Sequence, residues 1–153
     1  MSSLSLENFI AQCRRDSPAV IEARGLTAQD VSDAALRLSA EGIAARILDG
    51  SALNTKAALL DAIAAAFQFP GYFGRNWDAL IDCWSDMSWL PARGYVCFIE
   101  KADVLERTQQ ELLDELRKIA GFVSERWKNE DPSFKVANEE VLFKLALIYD
   151  TQA

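Results

Sequence analysis

The chain has 153 residues, with 16 Lys and Arg against 23 Asp and Glu, a formal charge of −7, and no His. That length suits one domain with a sizeable core, with or without an appendage, and the acidic balance argues against a basic face for nucleic acid or an anionic membrane. Without imidazole there is no Ser-His-Asp or Cys-His nucleophile and no His-ligated zinc or haem. The cysteines, Cys13, Cys83 and Cys97, are odd in number and far apart with no CxxC pair. They predict neither a disulfide framework nor a thiolate zinc site, and free thiols fit a reducing compartment. The N-terminal stretch lacks a charged segment followed by an apolar one, so no signal peptide is expected. No apolar run approaches the ~20 residues that span a bilayer. The expected location is the cytoplasm.

In chain order, residues 4–13 predict a short helix with Leu6, Phe9 and Ile10 on one side. Residues 19–23, between Pro18 and Gly25, form a weak strand candidate. A clear helix follows. Thr27 with Asp30 three residues on reads as a capping-box variant, Val31, Ala34, Ala35 and Leu38 keep the helical spacing, and Gly42 is a natural stop. Residues 43–48 (IAARIL) read as a strand that ends at the turn dipeptide Asp49-Gly50. Residues 55–67 predict a helix capped by Asn54 or Thr55, with Leu59, Leu60, Ile63 and Phe67 as its apolar stripe.

Phe69-Pro70-Gly71 breaks that helix, Tyr72-Phe73-Gly74 makes a loop, and a second helix runs from about residue 77 to 87 with Asn76 as its cap. Residues 95–99 (YVCFI) read as a buried strand. A long helix is predicted over roughly 104–127, a loop over 129–133, and a closing strand over 141–149. Strands joined through helices cross over and so run parallel. The expectation for residues 43–149 is an α/β fold, a small three-stranded parallel sheet packed by helices. The N-terminal extension, residues 1–42, could add a helix and an edge strand. It is expected to dock on the core and add stability without being needed for the core to fold. Cys83, Cys97, Trp89 and Trp127 are expected to be packing residues.

The informative segment is residues 70–87, PGYFGRNWDALIDCWSDM. Asp78, Asp82 and Asp86 fall at i, i+4 and i+8 and therefore line one face of one helix. Like charges at this spacing repel by a few tenths of a kcal/mol per pair. Asp78 gains from the dipole at the helix N-terminus, whereas Asp82 and Asp86 have no Lys or Arg at i±3 or i±4. Trp77, Leu80, Ile81 and Trp84 supply the core side. Of two adjacent loop aromatics, Tyr72 and Phe73, one is expected to be exposed, and an exposed Tyr beside an acidic strip has the make-up of an interface.

These residues resemble the barstar family, intracellular protein inhibitors of secreted barnase-like ribonucleases. The similarity runs from about residue 43 to 101. It includes a strand ending in Asp49-Gly50, then Pro70, Tyr72-Phe73-Gly74, Asn76, Asp78-Ala79-Leu80 and Asp82-Cys83, and a second strand ending in Glu100. The resemblance implies a barstar-like domain over residues 43–153 and a binding face made by Tyr72, Phe73, Gly74, Asn76, Asp78, Ile81 and Asp82. It implies a partner that is a basic ribonuclease or similar cationic protein, with no catalysis. Where the family commonly has an aromatic, this chain has Ile81. The family also presents a glutamate from the helix before the last strand, a role for which Glu111, Asp114, Glu115 and Glu125 compete. Arg75, inside the motif, opposes a positive partner unless it points away.

Two other readings stand beside this one. A barstar-fold regulatory or interaction module would have the same fold and no ribonuclease partner. An enzyme would use Asp78 and Asp82 as a carboxylate pair for a metal or a shared proton, but no phosphate loop, nucleophile motif or base accompanies them. No cofactor and no metal are expected, and neither nucleic acid nor membrane is expected as partner.

Overall fold

The computed structural model describes residues 2–15, 18–129 and 141–150. In chain order the elements are α1 (Ser2–Cys13), β1 (Val20–Arg24), α2 (Ala28–Ala40), β2 (Ile43–Asp49), a 3-10 turn (Gly50–Ala52), α3 (Lys56–Ala66), α4 (Trp77–Asp86), β3 (Gly94–Glu100), α5 (Ala102–Thr108), α6 (Gln110–Asn129) and β4 (Leu142–Tyr149). The predicted cap chemistry is present at each helix start where a cap residue was named. Thr27 and Asp30 form both bonds of the capping box of α2, Thr55 caps α3, and Asn76 caps α4. Each cap satisfies a backbone N–H that the first helical turn leaves without a partner.

The sheet has four parallel strands in the order β1-β4-β3-β2, not three. The N-terminal strand is part of it, paired with β4 from Val20–Leu145 to Arg24–Tyr149. Strand alternation divides the core into two layers. Tyr95, Cys97 and Ile99 of β3, with Phe143, Leu145 and Leu147 of β4, meet α3, α4 and α6 on one face. Val96 and Phe98, with Ala146 and Ile148, meet Phe9, Ile10 and Cys13 of α1 and Val31, Ala34 and Leu38 of α2 on the other. The chain before Ile43 therefore covers a whole face of the sheet. Lys144 lies on that face. Its side chain is buried, and its ammonium donates to the Pro18 carbonyl, because a charge taken out of water needs polar partners.

The long helix predicted over 104–127 is two helices. Gln109, at φ −143° and ψ 56°, leaves helical geometry between α5 and α6, and its side chain donates to the Asn54 carbonyl at 3.0 Å. That tertiary bond holds a break that the continuous polar and apolar periodicity does not announce. At the other end α6 continues through Asn129, the first residue of the predicted loop; residues 130–133 of that loop lie outside the described residues. Arg117 of α6 reaches Glu22 of β1, Glu106 of α5 and the Tyr149 hydroxyl of β4, which ties the edge strand to the helical layer.

Candidate functional site

Helix α4 is held from beneath and at its start. Leu80 and Trp84 are fully buried. The Trp84 ring sits edge-on to Phe67 and to Phe143, at 5.9 and 4.9 Å, and its carbonyl accepts from the Trp127 indole at 2.9 Å. Trp77 and Ile81 pack half-buried along the flank of the same core. At the N-terminus the Asn76 side chain accepts from the Ala79 N–H at 2.8 Å. A helix anchored in this way presents its outer row without much freedom to bend.

The preceding loop divides its two aromatics as the pattern requires. Phe73 is half-buried and stacks edge-on against Phe69 at 5.0 Å, whereas Tyr72 is 74% exposed. Gly74 lies beside the capping residue, where an added Cβ would stand 3.4 Å from the Asn76 amide nitrogen. Arg75 adopts a left-handed conformation, φ +55°, which costs free energy in any residue with a Cβ. In this conformation its guanidinium turns back to α3 and grips both oxygens of Asp61 at 2.9 and 2.8 Å. The one cation of the motif thus points away from the acidic row and is neutralised at its own site.

Asp78 and Asp82 are both exposed on the outer row, with Asp86 one turn further on. Asp82 is not without compensation, as its own helix suggested. Arg126, from α6, lies 3.6 Å from its carboxylate. Arg126 and Asp61 are charge partners of the motif that its own sequence does not indicate. They lie on other helices, and no local spacing relates them to the motif. Among the described residues, no group of three or more His, Cys, Asp or Glu side chains is arranged to hold a metal ion. Exposed carboxylates on a rigid helix beside an exposed phenol can accept hydrogen bonds from an incoming cation, and that is what this surface is able to do.

In a comparison with protein families, the model described as Barstar (barnase inhibitor) matches residues 43–139. The chain belongs to the barstar family. A search of the curated proteins finds no match. The barstar match begins at the first residue of β2 and contains the whole loop, α4, β3, α5 and α6; β1, α1, α2 and β4 lie outside it. Within the barstar region, α6 separates the competing acids. Asp114 pairs with Arg117 at 2.9 Å and Glu125 with Lys128 at 3.9 Å along their own helix. Glu115 lies eleven positions before Arg126, about three helical turns, and so projects from the same side of α6. No helix of the described residues is long and apolar enough to cross a membrane. The three cysteines are free and buried, and burial pushes the Cys13 and Cys97 thiols up to about 12.

A second acidic group sits where β2 and β3 end side by side. Asp49 and Glu100 are register partners. Gly50 is required there because an added Cβ would lie 2.5 Å from the Glu100 carbonyl oxygen. Partial burial, and then the charge of Asp49, raise the Glu100 carboxyl above its ordinary value, partly offset by Lys101. A raised carboxyl makes ionisation costlier in the folded state than in the unfolded one. Stability is therefore lost as pH rises from the ordinary Glu range through the raised one. Glu100→Gln is expected to raise the melting temperature at pH 7 and to leave it unchanged well below pH 4.5. Equal melting temperatures at both pH values would show that Glu100 is solvated well enough to ionise freely.

Proposed function

We propose that this barstar-family protein is a non-catalytic inhibitor that blocks the active site of a basic ribonuclease with the loop from Tyr72 to Asn76 and the outer row of α4. The observation that carries this reading is the pair Asp78 and Asp82, exposed one turn apart on an anchored helix beside the exposed Tyr72. A ribonuclease site must gather Arg and Lys to hold RNA phosphates. A carboxylate fixed on a helix can stand in a phosphate position and accept a two-pronged bond from a guanidinium. In this reading Tyr72 packs over the rim of the site, Gly74 and Asn76 shape the approach, and Phe73 and Ile81 hold the loop and helix from beneath. The protein would work in the cytoplasm as an immunity protein against a secreted nuclease. It would need no cofactor, and its partner would be that nuclease rather than nucleic acid or membrane.

The test is titration of barnase, assayed by RNA cleavage at about 0.1 M salt. Stoichiometric loss of cleavage is the expected result. Undiminished cleavage with the protein in excess would reject barnase inhibition and favour the second reading, an interaction module without a ribonuclease partner. One observation favours that second reading, namely that Arg126 already occupies the neighbourhood of Asp82.

A further inference from the structure

The contact between Asp82 and Arg126 has the properties of an exchangeable one. At 3.6 Å it is longer than the ~2.7–2.9 Å of a charge-assisted hydrogen bond, so it is held by charge attraction more than by bonding. Its side chains are 77% and 44% exposed, and a surface pair of this kind contributes little to folding. The backbone around it is nevertheless well placed. The Trp127 indole bonds to the Trp84 carbonyl next to the pair, so Arg126 stands level with Asp82 on a fixed neighbouring helix. Asp78 lies one turn earlier in the same row and makes no ion pair among the described residues.

We propose that Arg126 is an internal counter-cation that a partner must displace, and that it lowers the affinity of the acidic row for a basic partner. The proposal rests on the reading of α4 as the binding face. A partner guanidinium that meets Asp82 in a closed interface, with two short bonds, outcompetes a long, solvated contact. A lone surface ammonium makes no paired bonds and so offsets less of the cost of displacement. Once displaced, Arg126 faces the partner as a like charge, so its presence slows and weakens association with any basic partner.

The experiment compares Arg126→Gln with the full-length wild type, using two probes, barnase and a hexa-arginine peptide, and binding measured by titration at about 0.1 M salt. Arg126→Gln is expected to raise affinity roughly 2- to 5-fold, the range covered by a surface ion pair. It should leave the melting temperature within a degree or two. In an Asp82→Asn background the gain should shrink to that of Lys118→Gln, which removes an exposed charge of the same helix and reports the general long-range effect. A gain equal in both backgrounds, or no larger than that of Lys118→Gln, overturns the proposal. So does a loss of affinity, which would make Arg126 part of the binding surface, or failure of hexa-arginine to bind any of the variants. If hexa-arginine shows the Asp82-dependent gain while barnase binds none of the proteins, the counter-cation stands and the barnase-inhibitor reading falls.

Discussion

Asp82→Ala is expected to weaken the complex with barnase by about 3–5 kcal/mol while hardly changing the stability of the free protein. The loss on binding is large because a partner guanidinium would remain desolvated in the interface without its counter-charge, and the cost of a buried ion left unpaired is of that size. In affinity this is a factor of roughly a hundred to a few thousand. The small effect on folding follows from three terms that nearly cancel. Loss of the Arg126 contact, between exposed groups 3.6 Å apart, costs at most about 1 kcal/mol. Relief of repulsion from Asp78 and Asp86 returns a few tenths each. Alanine adds up to about 0.5 kcal/mol of helix propensity at an exposed site. Association of the wild type should also slow steeply with salt, because steering by the strip is screened over ~10 Å at 0.1 M. Melting temperature and barnase affinity of this one variant separate the possible roles. A strongly destabilised protein that keeps full affinity would mean that Asp82 holds the fold and does not meet the partner.

Deleting residues 1–41 is expected to abolish cooperative folding. The deletion removes β1, α1 and α2 and bares the face formed by Ile43, Val96, Phe98, Ala146 and Ile148. Exposing each large apolar side chain forfeits about 1.5–3 kcal/mol. Four of them together match the whole stability of an ordinary domain, about 5–15 kcal/mol. Lys144 loses its Pro18 acceptor, and Arg117 loses Glu22. The expected result is a fragment that melts without a cooperative transition and associates through the bared face. A sharp transition within a few degrees of the full chain would show that residues 43–153 fold independently, as a reading of the sequence alone anticipates. A gentler probe uses the full chain. Cys13 is buried between α1 and the sheet, so it should resist alkylation until α1 detaches. Rapid modification of Cys13 under native conditions would mean that the N-terminal layer opens readily.

The local features of this protein were legible in its sequence because their causes are local. Caps three residues from their acceptors, apolar stripes at helical spacing and short apolar runs between turn residues placed the helices and strands, with ends shifted by only a few residues. The same i, i+4 spacing placed Asp78, Asp82 and Asp86 on one face, and the order of loop, cap and carboxylates pointed to the barstar family. What the sequence could not determine depends on residues distant in the chain. Joining the sheet as a fourth strand required β1 to find β4, and Lys144 bonds to a carbonyl 126 positions away. The break at Gln109 is held by Asn54, 55 positions back. Asp82 looked uncompensated because its cation lies on another helix, and Arg75 looked like an obstacle because its partner, Asp61, lies on the helix before it. A local pattern can specify which way a side chain faces, but which charge it meets there depends on how the helices pack across the sheet, and only the tertiary structure decides that.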